Sequence, residues 1–158
     1  MLDRTGRSKG ELAKAEVTVH ELEAQLEHVR ALVKERRAEK LNFTPQSQAA
    51  AAAGDINRLV SLENRSVALD KIIQELTAAE AECAERVEAA RRYLYTLYVR
   101  LEKLRKEARD LMRRIQSIEN PGAEVREVET NLSRVKVQIK AIIGDAKTGQ
   151  LLTGLGSK

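Results

Sequence analysis

The stretch Leu59–Ile118, LVSLENRSVALDKIIQELTAAEAECAERVEAARRYLYTLYVRLEKLRKEARDLMRRIQSI, decides the fold. Its apolar residues recur at alternating spacings of three and four for nine heptads. The a positions are Leu59, Ser66, Ile73, Glu80, Val87, Leu94, Leu101, Ala108 and Ile115. The d positions are Leu62, Leu69, Leu76, Cys83, Ala90, Leu97, Leu104, Leu111 and Ile118, so only Ser66 and Glu80 are polar. A straight helix drifts about 20° per heptad against a 3.5-residue repeat, so a seam this long predicts left-handed supercoiling around a partner. The expected fold is all-α: a long antiparallel coiled-coil rod of three helices, the central one longest.

Composition points the same way. A chain of 158 residues predicts one domain. Aromatics make up 3% and charged residues 33%, with no Trp, so burial must follow a narrow stripe rather than a compact mixed core. A net charge of +4 leaves nucleic acid open as a partner without demanding it. A single cysteine, Cys83, rules out an intrachain disulfide, and its d position predicts burial as a small apolar side chain. No apolar run is long enough to span a membrane. Residues 1–10 lack an apolar h-region, so no cleaved secretory signal is expected, and the localisation that follows is cytoplasmic or in a virion.

Breaks in the pattern divide the chain. Residues 1–10 form a basic N-terminal arm in which Ser8-Lys-Gly-Glu11 offers a capping box. Helix 1 spans 11–42, with a at Leu12, Val19, Leu26 and Val33 and d at Ala15, Leu22 and Val29; Arg36 and Lys40 then take the seam. Residues 43–54 are read as a turn and an Ala-rich segment, with Thr44 capping and Pro45 at a first helical position. The central helix spans 55–120, and its start lies near Asp55 or, by backward extension through the Ala49–Ala53 run, near Pro45, the start the alanines favour. Asn120-Pro121-Gly122 stops it. Helix 3 follows over 121–144 with a seam of Val125, Val128, Leu132, Val135, Ile139 and Ile142, and 145–158 is a Gly/Leu tail.

The short breaks favour antiparallel neighbours, so helix 1 should fold back on the first half of the central helix and helix 3 on the second. On this scheme Val29 faces a seam position within Leu59–Leu69. Charge supports the folding: five bases in 30–40 oppose six acids in 55–82. Apolar or aromatic residues also flank the seam, with Ile56, Tyr98 and Met112 at e and Ile72 and Tyr93 at g, a width that suits more than two helices. The ends of helices 1 and 3 should meet near 87–97 and leave that stretch uncovered by its own chain. Tyr93, Leu94, Leu97 and Tyr98 are therefore expected at a protein interface, as are Leu151, Leu152 and Leu155 of the tail.

Constellations for chemistry are weak. His20 and His28 stand too far apart to share one metal. Gly144-Asp-Ala-Lys-Thr-Gly149 has part of a phosphate-loop spacing but lacks the following Lys and Ser/Thr and follows a helix. No catalytic or metal-ligating set and no cofactor is expected. The strongest charge feature is Arg91, Arg92, Arg100, Lys103, Arg105, Lys106, Arg109, Arg113 and Arg114 with the interleaved Tyr93, Tyr95 and Tyr98. Tyr95, at b, is the ring expected to be exposed.

No motif places the chain in a family. Its general architecture resembles stalk and scaffold components of export machines and of tailed-phage particles. The reading preferred is a non-enzymatic structural subunit of a multi-protein assembly, a virus particle or secretion-type machine, as a homo-oligomer or within a hetero-assembly. The alternative is a sequence-independent nucleic-acid-binding coiled coil acting through the basic second half of the central helix.

Overall fold

The computed structural model describes residues 10–118 and 122–145. The protein is all-α, with no strand among the described residues. Three long helices, α1 (Glu11–Leu41), α3 (Ile56–Ser117) and α4 (Ala123–Ile143), are joined by a short α2 (Phe43–Ala52) between the first two. The arm before Gly10 with its Ser8 cap, the Asn120-Pro121 stop and the tail leucines Leu151, Leu152 and Leu155 lie outside the described residues.

The central seam is the organising feature. All eighteen a and d positions from Leu59 to Ile118 are buried or half-buried, including the polar Ser66 and Glu80. The wider stripe behaves differently. Met112 is half-buried, whereas Ile56 is 72% exposed and Ile72, Tyr93 and Tyr98 also stand at the surface.

Two features of residues 43–55 correct the sequence reading. The first is that the segment is mostly helix. Pro45 cannot donate to the Leu41 carbonyl and its ring crowds that group, so the helix is interrupted just there. The interruption is slight: Asn42 keeps right-handed helical angles and donates to the Glu39 carbonyl at 3.1 Å. Thr44 is therefore inside α2 rather than capping it, and Asn42 makes no side-chain cap bond. The second is that the Ala run does not extend the long helix backward. Gly54, at φ 68°, adopts the left-handed conformation that ends α2. Its N–H donates to the Ala51 carbonyl and that of Asp55 to the Ala50 carbonyl, the paired bonds of a Schellman motif. Asp55 then accepts the Arg58 N–H on Oδ1 at 3.1 Å and caps α3. The chain ends one helix and begins the next within three residues.

The fold comprises two compact units, each with its own core. The unit of residues 20–89 holds the rest of α1, α2 and the first half of α3. Phe43, Ala50, Leu62 and Leu69 form its core, with Leu59 and Ile73 packed against them. The Arg65 guanidinium lies 5.6 Å from the Phe43 ring centroid, closing the outer side of that ring. Arg30 pairs with Glu80 at 3.4 Å and Lys40 pairs with Asp70, so partner numbers fall along α3 as they rise along α1. Val29 thus sits beside the residue that meets Glu80, and the expected facing stretch Leu59–Leu69 is corrected by about three turns.

The second unit contains, among described residues, 10–19, 90–118 and 122–145. Three helical segments converge on Leu12, Ala15, Leu97, Leu101, Leu104, Ala108, Leu132, Val135, Ile139, Ile142 and Ile143. The seam of α4 is buried most completely: Val135 and Ile139 are fully inaccessible and Val128 and Ile142 are 1% exposed. Arg114 reaches Glu124 and Arg134 reaches Glu107, each at 3.7 Å. These pairs are exposed, so they favour one register and add at most a few tenths of a kcal/mol each.

Candidate interaction surface

Glycine brings the remote ends of the second unit together. Gly10, buried at the entrance to α1, lies against the backbone of Ile142, Ile143 and Gly144 where α4 ends. A Cβ on Gly10 would overlap all three residues. Gly144, buried and at φ 82°, donates its N–H to the Lys140 carbonyl at 2.8 Å. The partly positive end of α1 thereby faces the partly negative end of α4. Sequence reasoning missed this junction. Each glycine was legible as a helix boundary, but nothing local announces that the two boundaries touch.

This junction changes the expected protein interface. Leu97 is only 3% exposed, buried in the chain's own core with Leu12, Ala15 and Ile142, and Leu94 is half-buried against the same core. Val87 is 2% exposed. The seam at Leu94 and Leu97 is therefore covered, contrary to expectation, because α1 begins and α4 ends over it. Tyr93 and Tyr98 remain at the surface. Tyr93 lines a shallow hollow of about 230 Å³ with Glu11, Lys14, Ala15, Thr18 and Ala90. Tyr98 donates its hydroxyl to Glu16 Oε1 at 2.8 Å. That bond, with some desolvation and the nearby carboxylate charge, raises the Tyr98 phenol above its ordinary value of 10.0.

The basic residues separate into engaged and free groups. Arg105 is half-buried and pairs with Glu102 at 2.6 Å, and Arg114 pairs with Glu124. Arg91 is also engaged. Arg92, Arg100, Lys103, Lys106, Arg109 and Arg113 are exposed and form no ion pair among the described residues. A second hollow of about 350 Å³ lies beside them, lined by Lys103, Lys106, Glu107, Asp110, Leu111 and Arg114. Tyr95 is 70% exposed on the same surface.

His20 and His28 are both exposed, and no group of three metal-ligating side chains occurs among the described residues. Among those residues no helix is long and apolar enough to cross a membrane. No family model matches the chain, and neither a curated protein nor a solved structure matches it.

Proposed function

We propose that this chain is a non-enzymatic, structural coiled-coil subunit of a larger protein assembly. The observation that carries this reading is the continuous 62-residue α3, whose a and d positions are all buried or half-buried. Residues along α3 are spent on holding helices together at a fixed separation, which is what a spacer or scaffold requires. The opposed order of the Arg30–Glu80 and Lys40–Asp70 pairs supports an antiparallel coiled coil in the unit that contains them. Exposed apolar side chains outside the seam supply contacts for further subunits: Ile56, Val60 and Val67 fall within about 40° of one another on α3. A virus particle or a secretion-type machine is the setting whose components such an architecture resembles, with a cytoplasmic or virion location.

Native mass measurement of the complex isolated from the source organism tests this directly. The expected result is a defined multi-protein or homo-oligomeric particle that contains this chain. A chain that sediments as a free monomer both in that isolate and at high concentration when purified is not an assembly subunit.

A further inference from the structure

The back of α3 in the second unit carries a feature that packing and helix pairing leave unexplained. Leu94, Leu97, Leu101, Leu104 and Ala108 define the direction in which α3 faces its core. At 3.6 residues per turn, Arg92, Tyr95, Val99, Lys103, Lys106 and Arg113 fall within about 40° of the opposite direction, and Arg109 within about 80°. Every one of them is exposed. They follow one another along about 32 Å of helix, the rise between residues 92 and 113.

The charges on this stripe are not those of an ordinary solvated face. Three acids share that width, Glu102, Glu107 and Asp110. Glu102 is engaged by Arg105 from the side, at 2.6 Å. Glu107 is engaged by Arg134. Two of the three carboxylates are thus drawn to cations at the edges and Asp110 stays among the stripe's cations, while Arg92, Lys103, Lys106, Arg109 and Arg113 keep no ion-pair partner among the described residues. Five cations against one unengaged carboxylate leave the stripe positive, a charge that an extended anion neutralises. Between the first cation and the other four stand the Tyr95 ring, 70% exposed, and Val99.

We propose that this stripe is a binding surface for single-stranded nucleic acid, held without regard to sequence. The cations take successive phosphates and the Tyr95 ring stacks on an unpaired base, with Val99 beside it. A single strand is the polyanion that offers repeated charge and free flat faces together. A duplex keeps its bases stacked inside, and an acidic polypeptide has no face for Tyr95 to cover. This surface is additional to the structural role proposed above and does not depend on it.

The test is fluorescence polarisation with the full chain and three labelled probes: a 20-residue oligothymidylate, a duplex of equal length, and polyglutamate. The oligothymidylate should bind at low salt. Five neutralised phosphates on a single strand give a slope of log K on log salt of about −3.5, so affinity should fall roughly a hundredfold between 50 and 200 mM salt. Tyr95→Ala should weaken that probe by about five- to a hundredfold, and Tyr95→Phe should restore it, while binding of the other two probes is unchanged. Lys103→Glu with Lys106→Glu, Arg109→Glu and Arg113→Glu should abolish binding. These side chains are exposed, and unchanged helical circular dichroism of each variant confirms that its fold is kept. Absence of oligothymidylate binding at 50 mM salt overturns the proposal. So does binding that is equal for polyglutamate and indifferent to Tyr95→Ala, which would mark a surface for an acidic protein instead. Tighter binding of the duplex than of the single strand also overturns it.

Discussion

Lys40 and Asp70 form an ion pair, and each lies fifteen residues from Asp55 along the chain. Arg30 and Glu80, paired at 3.4 Å, lie twenty-five residues from the same point. Two pairs symmetric about one residue make the capped Gly54-Asp55 reversal the centre of the register. An insertion on one arm between Asp55 and the Lys40–Asp70 pair would break both pairs and shift every seam layer beyond it.

The same symmetry sets opposite Cys83 a residue near position 27, and the buried seam side chain there is Leu26. Leu26→Cys is therefore expected to oxidise with Cys83 inside one chain. Non-reducing gels after mild oxidation should show a compact monomer. Exclusively interchain dimers would mean that the two arms belong to different molecules.

Gly10 predicts a steric effect. In Gly10→Ala the new methyl meets backbone at Ile142–Gly144, which cannot turn aside as a side-chain tip could. Overpacking of this kind costs about 1–3 kcal/mol. Thermal unfolding should show a lowered midpoint, and an unchanged one would mean that the two helix ends do not meet in solution.

Gly54 predicts a different kind of cost. Nothing lies within 4 Å of a Cβ placed there, so Gly54→Ala suffers only the left-handed backbone penalty of about 1–2 kcal/mol. Asp55→Ala loses the cap on the Arg58 N–H, worth about 1 kcal/mol. Both changes should lower stability in urea titrations while leaving helical circular dichroism nearly intact. A wholesale loss of helix from either would show that α3 depends on this turn for more than its start.

Alkaline pH should weaken the second unit through Tyr98. Its phenol is raised in the folded protein, above 10.0, chiefly because its proton is held by Glu16. The stabilising contribution is therefore fully present below 10.0 and lost as pH rises through the folded-state value. Tyr98→Phe should remove that part of the pH dependence and leave stability at neutral pH only slightly reduced, since the ring is 44% exposed. Identical alkaline stability curves for the two proteins would exclude the bond.

Much of this fold is legible in the sequence because a heptad pattern is a local signal. Leu59–Ile118 and the α4 seam from Val125 to Ile142 declare their buried faces through spacing alone, and all those positions are buried or half-buried. The interruption at Asn42 and the true turn at Gly54 are harder, since Pro45 and a five-alanine run give opposite advice about where one helix ends. Propensity favoured continuity, but a glycine in the left-handed conformation followed at once by a capping Asp prevailed. The surface was only partly legible. The basic run was visible, but which cations are engaged depends on Glu102, Glu107 and Glu124 reaching particular arginines. Burial of Leu97 depends on Leu12 and Ile142, far away in sequence, and no spacing rule reaches that far.

The Gly10–Gly144 junction also dictates an order of events during synthesis. The unit of residues 20–89 can close once residue 89 has left the ribosome. The start of α1 cannot find the end of α4 until residues up to 144 have emerged, so Leu12 and Ala15 wait without that partner while 55 more residues are made. At about 5–20 residues per second the wait lasts roughly 3–11 s. During it the start of α1 is an apolar segment open to chaperones and proteases. Ribosome-bound chains arrested near residue 100 should be cut around Leu12, and released full-length chains should resist cleavage there; equal resistance in both would mean that α1 is protected without α4.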